Sequence, residues 1–199
     1  MGGDLPAILL LDDFTIMVCA RDRHAAILSG VLSEIERTAA RSRYLRAPLL
    51  FQLAQRDDGE VGMKVPADLN EALLTGYALN GGNVDSAMTG LAFAFARALA
   101  VQRADAGIAE DACAVPVQDG YAFNGFGLVH THSIPSTGQR IGAVTYVSRS
   151  GLVWGLARLL HVDKVDPPII AREEFSPGPV PKALRSMTAD VLGCRCDER

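Results

Sequence analysis

The sequence predicts a single α/β domain over residues 1–199, with a mostly parallel, doubly wound central sheet of about six strands and helices on both faces. Two patterns predict it. The aliphatic run at 7–11 is unbroken and stops at Asp12 and Asp13, as in a strand that helices cover on both faces of a parallel sheet. Strand-like and helix-like segments then alternate, with neither repeats nor an internal linker. Such an architecture is Rossmann-like, and its ligands bind at the carboxyl ends of the strands.

In the first half of the chain, apolar spacing separates helices from strands. Ile27, Val31 and Ile35 recur at helical spacing. The Asp57-Asp58-Gly59 turn signal follows a short apolar segment. The elements predicted after the first strand are a helix from residue 22 or 29 to residue 40, a strand at 48–53, a more polar edge strand at 60–65 and a helix at 66–74.

In the second half, a glycine pair introduces the most apolar helix. Gly81 and Gly82 indicate a tight loop, with Asn83 or Asp85 available to cap the helix that follows at 86–104. That helix is apolar nearly all round, so we expect it to lie deep against the sheet. The remaining predicted elements are strands at 126–132 and 141–148, a helix at 151–160, a short strand at 167–170 and a final helix at 183–192.

One connection conflicts with a parallel sheet. Only eight residues separate His132 from Ile141, whereas a parallel crossover needs about a dozen or more. Either the second of these strands begins later than predicted, or the two strands form an antiparallel hairpin. The hairpin is a different topology.

Composition and charge exclude several functional classes. The chain carries a formal net charge of −4, so it lacks the basic face that nucleic-acid binding needs. No apolar run reaches the roughly 18 residues of a membrane span, and the N-terminus has no secretory signal pattern. Four cysteines, at 19, 113, 194 and 196, follow neither a disulfide framework nor zinc spacing. We therefore expect a cytoplasmic protein that binds neither nucleic acid nor membranes.

Four segments together resemble a known family. Residues 9–17 are similar to a strand that ends on D-x-S-x-S and Met, and residues 80–88 to a G-G-T loop with its helix. Residues 128–133 fall where that family has a strand ending in T-D-G, and residues 175–195 resemble its terminal helix. In this pattern the chain resembles the von Willebrand factor A domain, particularly its small stand-alone bacterial cytoplasmic versions.

The resemblance implies a degenerate metal site. In the family, serine, threonine and aspartate oxygens hold Mg²⁺ or Mn²⁺. Here Asp12 keeps the first aspartate, but Phe14 and Ile16 occupy the serine positions and offer no oxygen. Asn83 replaces the threonine with an amide oxygen, and His132 replaces the last aspartate. We therefore expect neither a bound metal nor any other cofactor.

The function implied by the resemblance is a non-catalytic protein-interaction or scaffold module. Its setting would be a bacterial stress or conflict system or a multiprotein assembly. The partners implied are an AAA+ ATPase or other operon-encoded proteins, and the chain itself is a candidate for an oligomer. The expected partner-binding rim comprises Asp12, Asp13, Thr15, Asn83, Asp85 and His132. Without metal ligands, this rim suits a constitutive interface.

An enzyme is the alternative hypothesis, and the sequence leaves the question open while favouring a non-enzyme. His130 and His132 lie two apart on a predicted strand, so both imidazoles project to one face. With Asp12 they would form the metal site of a small metal-dependent hydrolase. In the competing interpretation one histidine is buried and hydrogen-bonded while the other lies at the rim.

Overall fold

The computed structural model describes residues 8–11, 15–18, 24–42, 44, 47–109, 119–133, 137–160, 169–173 and 178–193. Within these ranges the strands are β1 (Ile8–Leu11), β2 (Thr15–Val18), β3 (Leu49–Gln55), β4 (Val61–Lys64), β5 (Ala122–Ser133), β6 (Arg140–Ser148), β7 (Val153–Leu159) and β8 (Ile169–Glu173). The helices are α1 (His24–Arg41), α2 (Ala67–Leu79), α3 (Val84–Ala106) and α4 (Pro179–Leu192).

The strands form one sheet in which every neighbouring pair is antiparallel. Their order is β1-β2-β4-β3-β5-β6-β7-β8. The predicted mostly parallel, doubly wound, Rossmann-like sheet of about six strands is therefore wrong. Side chains are described for the five strands β3 to β7, which carry the core and the candidate site.

The physical reason for this error is that apolar composition indicates that a strand is buried. It does not indicate whether the strand runs parallel or antiparallel to its neighbours. Helices cover both faces of this sheet, so its antiparallel strands are as apolar as those of a parallel sheet. The number of residues that connect two strands decides whether the strands can pair parallel or only antiparallel. Consecutive paired strands are joined by three to nine residues, too few for a parallel crossover and sufficient for hairpins. The open alternative near residue 132 is thereby resolved, because β5 and β6 pair as a hairpin from Gly125↔Ser148 to Ser133↔Arg140.

The predicted helix at 151–160 is also wrong, because this segment contains β7. Its side chains alternate between faces. Trp154 and Leu156 belong to the core beneath α1, whereas Val153 belongs to the core on the opposite face. The segment is short and apolar, and in such segments helical and strand periodicity are difficult to separate.

Two hydrophobic cores sandwich the sheet. On one face, α1 contributes Leu28 and Leu32 to a core that also contains Phe51 and Tyr146 of the sheet. On the other face, α2, α3 and α4 share a core with the sheet. Its fully buried side chains include Leu50, Leu73, Met88, Leu128, Val147, Leu184 and Met187. The candidate site lies on this second face.

A buried ion pair joins α1 to the sheet. Glu36 of α1 is 1% exposed and accepts two hydrogen bonds of 2.7 Å from the guanidinium of Arg158 in β7. The Tyr44 hydroxyl donates a third hydrogen bond to the same carboxylate. Burial and this carboxylate raise the pKa of Tyr44 above its usual range, so the phenol stays protonated as the donor.

Candidate ligand-binding cavity

Strand β5 brings two histidines to the same face of the sheet. Residues two apart on a strand point the same way, so His130 and His132 follow Leu128 towards the side covered by α3 and α4. Their ring centroids lie 5.6 Å apart, with an angle of 27° between the ring planes. His130 is buried, whereas His132 is exposed. The interpretation with one buried histidine and one at the rim therefore describes this pair, and His130 has a hydrogen-bond partner.

Small residues on the neighbouring strands leave space above this part of the sheet. Ala143 in β6 lies opposite His130, and Ala157 in β7 lies opposite Ala143. Gly155 lies opposite Thr145 in the same way. Helices sit about 10 Å above a sheet, so such short side chains cannot fill the gap. A cavity of about 550 Å³ results, and these residues line it together with both histidines.

The first turns of α3 and α4 form the opposite wall. Val84 and Asp85 contribute from α3, and residues 178–181 contribute from α4. A helix N-terminus attracts anions because its first N–H groups are free. In α4, however, Pro179 and Pro181 have no N–H, and the Lys182 N–H already bonds to the Gly178 carbonyl. The α4 part of this wall is therefore a poor site for phosphate or sulfate.

Hydrogen bonding of the buried imidazole is incomplete. His130 Nε2 lies 3.3 Å from the Thr145 hydroxyl oxygen. Its Nδ1 is fully buried and has no hydrogen-bond partner among the described residues. If Nε2–H donates to Thr145, Nδ1 is an acceptor; in the other tautomer Nδ1–H is a donor. Either way, one strong hydrogen-bonding atom of this imidazole has no partner among the described residues.

The electrostatics keep this imidazole neutral. Burial, and to a smaller extent the neighbouring His132, lower the pKa of His130 to about 4. A neutral imidazole at pH 7 follows. Asp85 is the only carboxylate among the described lining residues, and neither lysine nor arginine is among them. The cavity can thus hold a mostly apolar molecule and form a hydrogen bond with it, but it offers little to compensate a negative charge.

A metal centre is not supported by the described side chains. No group of three or more histidine, cysteine, aspartate or glutamate residues in the described part of the chain could hold an ion. Protein zinc sites have three or four protein ligands, and the two histidines supply only two. Asp12, the third ligand in the hydrolase hypothesis, lies outside the described residues.

Part of the expected partner-binding rim comes together. Asp85 and His132 both line the cavity, and Asn83 lies beside it, where its side chain accepts a 3.0 Å hydrogen bond from the Ser86 N–H as the cap of α3. Thr15, in contrast, is in β2, which β4 and β3 separate from β5. Asp12 and Asp13 lie outside the described residues. A shared rim at parallel strand ends does not form, because the strands alternate in direction.

The sequence did not reveal the residues that make the cavity. Ala143, Thr145, Gly155 and Ala157 became site residues only because three antiparallel strands place them side by side. A strand prediction for 151–160 would have put Gly155 and Ala157 on one face. That spacing of two small residues was the available signal.

The capping role of Asn83 predicts a modest loss of stability on substitution. Asn83→Ala should lower the free energy of unfolding by about 1 kcal/mol, because the Ser86 N–H loses its acceptor. Ser86→Ala is the matched control, since it retains the backbone N–H and should change stability by less than about 0.5 kcal/mol. Urea denaturation measures both. Equal stability of Asn83→Ala and wild type would show that the cap contributes nothing.

Comparison with known proteins leaves the chain without an assigned relative. No protein-family model, no curated protein and no solved structure matches it. Nothing in these comparisons identifies a von Willebrand factor A domain, and the antiparallel sheet conflicts with that family's Rossmann-like fold. The expected Rossmann-like vWA fold is therefore corrected: the described strands form an antiparallel sheet with helices on both faces. The degenerate metal-ion-dependent adhesion site stays a prediction, because Asp12 and Phe14 lie outside the described residues.

Proposed function

We propose that this domain binds a small, uncharged, largely apolar molecule in the cavity, and that His130 hydrogen-bonds one polar group of that molecule. The observation that carries the proposal is the buried Nδ1 of His130, which has no partner among the described residues. A buried polar atom without a partner costs about 1–3 kcal/mol. A ligand in the cavity recovers this loss if the imidazole turns and presents the atom to it.

The cavity suits such a ligand in size and lining. Its volume of about 550 Å³ falls within the roughly 300–1,000 Å³ of small-molecule sites, which are mostly apolar with a few convergent polar groups. Here the apolar part includes Val84, Ala143 and Val180, and the polar groups are the imidazoles and the Thr145 hydroxyl. The Asp85 carboxylate disfavours anions. An aromatic or aliphatic molecule with one hydroxyl, amide or amine N–H group fits best.

Binding is favoured over catalysis by the state of the same histidine. Thr145 and His130 form a hydroxyl–imidazole pair, which in hydrolases needs a third group to orient the imidazole through its other nitrogen. Among the described residues, none hydrogen-bonds Nδ1. With its pKa near 4, His130 is also a weak base at neutral pH.

The sequence predicts a protein partner. This stays a prediction, because the cavity gives no information about a protein interface. The AAA+ ATPase and the stress or conflict setting depended on the family resemblance and lose their basis with it.

The experiment fills the cavity without disturbing the fold. A Cβ added to Gly155 meets no heavy atom within 4 Å, and valine suits a strand. The probe is N-phenyl-1-naphthylamine, an uncharged aromatic fluorophore with one N–H. We expect saturable binding to the wild type and at least tenfold weaker binding to Gly155→Val, with an unchanged melting temperature.

The matched control is Gly30→Ala on α1, across the sheet from the cavity, where an added Cβ also meets nothing within 4 Å. It should bind the probe like the wild type. Equal affinity of Gly155→Val and wild type would contradict the proposal, as would a wild type that fails to bind the probe.

A further inference from the structure

Helix α3 exposes far more apolar surface than its composition leads one to expect. Its most apolar 18-residue window has a mean hydropathy of 1.4, yet only 33% of that window is buried. Phe93 is 69% exposed and Val101 is 61% exposed. On α2, Leu79 is 82% exposed. Large aromatic side chains such as that of Phe93 are enriched in the cores of protein–protein interfaces.

A groove runs between α2 and α3 beside these side chains. The two helices approach closely where Gly76 faces Ala87, because a Cβ on Gly76 would lie 3.8 Å from that alanine. The groove has a volume of about 680 Å³, and its walls include Ala72, Thr75, Gly90 and Ala94. Such short side chains leave room for a large side chain from outside.

The charges on this surface are complementary to one another. Asp68 and Glu71 lie on the α2 wall of the groove, and Arg97 lies on the exposed side of α3. Among the described residues, none of these three forms a salt bridge. A surface with acid on one side of a groove and base on the other can pair with a second copy of itself.

The heights of these charges along the helices match as well. The short connection between α2 and α3, with the contact of Gly76 and Ala87, sets the helices antiparallel. From that contact Arg97 lies roughly 15 Å up α3 and Asp68 roughly 12 Å back along α2, at 1.5 Å per residue. A two-fold axis along the groove therefore places Arg97 of each copy over Asp68 of the other.

We propose that the α2–α3 surface, defined by Asp68, Ala72, Gly90, Phe93 and Arg97, is a two-fold interface with a second copy of this chain. A lipid bilayer is the less suitable occupant. Although α3 is long and apolar enough to cross a membrane, it packs in the folded domain against α4, α2 and the core. Arg97 near its middle would cost about 2.5–3.5 kcal/mol at a bilayer centre.

Sedimentation velocity over a range of concentrations tests the interface. Wild type should sediment with twice the 21.2-kDa chain mass. Phe93→Glu should weaken association at least tenfold, with an unchanged far-ultraviolet circular dichroism spectrum. Gly30→Ala, on the other face of the sheet, is the control that should stay dimeric. A wild type that sediments as a single chain at every concentration would overturn the proposal, and its co-sedimentation with phosphatidylglycerol vesicles would then assign this surface to a bilayer.

Charge reversal tests the arrangement itself. Arg97→Asp and Asp68→Arg should each weaken the dimer, and combining them should restore it, since each new charge again meets its opposite on the second copy. Failure of the double variant to recover would overturn the two-fold axis along the groove. None of these substitutions touches the cavity lining, so fluorophore binding reports separately on the proposed function.

Discussion

Arg158→Leu should lower the free energy of unfolding by about 3–5 kcal/mol, because it leaves a buried carboxylate without its counter-charge. Glu36 is almost completely buried, and both of its oxygens accept hydrogen bonds from the Arg158 guanidinium. Only the Tyr44 hydroxyl would remain as a partner. The lost stability should appear in urea denaturation at pH 7 as a lower transition midpoint with an unchanged slope.

Two further variants test whether the loss of stability arises because the ion pair is buried and because one charge is left without a partner. Arg37→Leu, on the same helix, breaks an exposed ion pair with Glu34 and should cost no more than about 1 kcal/mol. Replacing both buried partners, as Glu36→Gln with Arg158→Met, should recover much of the loss because no uncompensated charge remains. A small effect of Arg158→Leu, similar to that of Arg37→Leu, would show that this pair does not hold α1 to the sheet.

Acid should destabilise the protein through His130. Its pKa is about 4 in the folded state and about 6.5 in an unfolded chain. Between these values the unfolded state binds the additional proton, so stability is complete above pH 6.5 and falls as the pH is lowered towards 4. The full loss for this shift is about 3 kcal/mol.

His130→Leu should remove this part of the pH dependence. The difference in unfolding free energy between wild type and variant should change by about 3 kcal/mol from pH 7 to pH 4, in urea denaturation at each pH. His132→Ala is the control: because burial is the larger cause of the shift, most of the dependence should persist. Parallel pH profiles for wild type and His130→Leu would show that the imidazole is in contact with water rather than buried.

Local structure was predictable from the sequence, but strand direction was not. The periodicity of Ile27, Val31 and Ile35 located α1, and the glycine pair with Asn83 located the start of α3. These signals depend on neighbours within one or two turns. The apolar run that became β1 could not reveal that its neighbour β2 is antiparallel, because burial makes both kinds of strand apolar.

The sequence predicted only that part of the candidate site whose geometry is set within a single strand. His130 and His132 were expected on one face because alternation within a strand fixes that relation, and Asp85 was expected near them. The cavity, however, depends on Ala143 and Gly155, which lie on two other strands. Their position follows from register, which a single sequence does not specify.

Direct observation of the imidazole nitrogens is the most stringent measurement for this account. Long-range ¹H–¹⁵N spectra of protein labelled at histidine, recorded at pH 7 with increasing N-phenyl-1-naphthylamine, report each ring nitrogen separately. We expect a neutral His130 ring whose Nδ1 resonance shifts on saturation in the wild type and stays unchanged in Gly155→Val. An Nδ1 resonance that does not shift when the fluorophore binds to the wild type would contradict the proposal that His130 recognises the ligand.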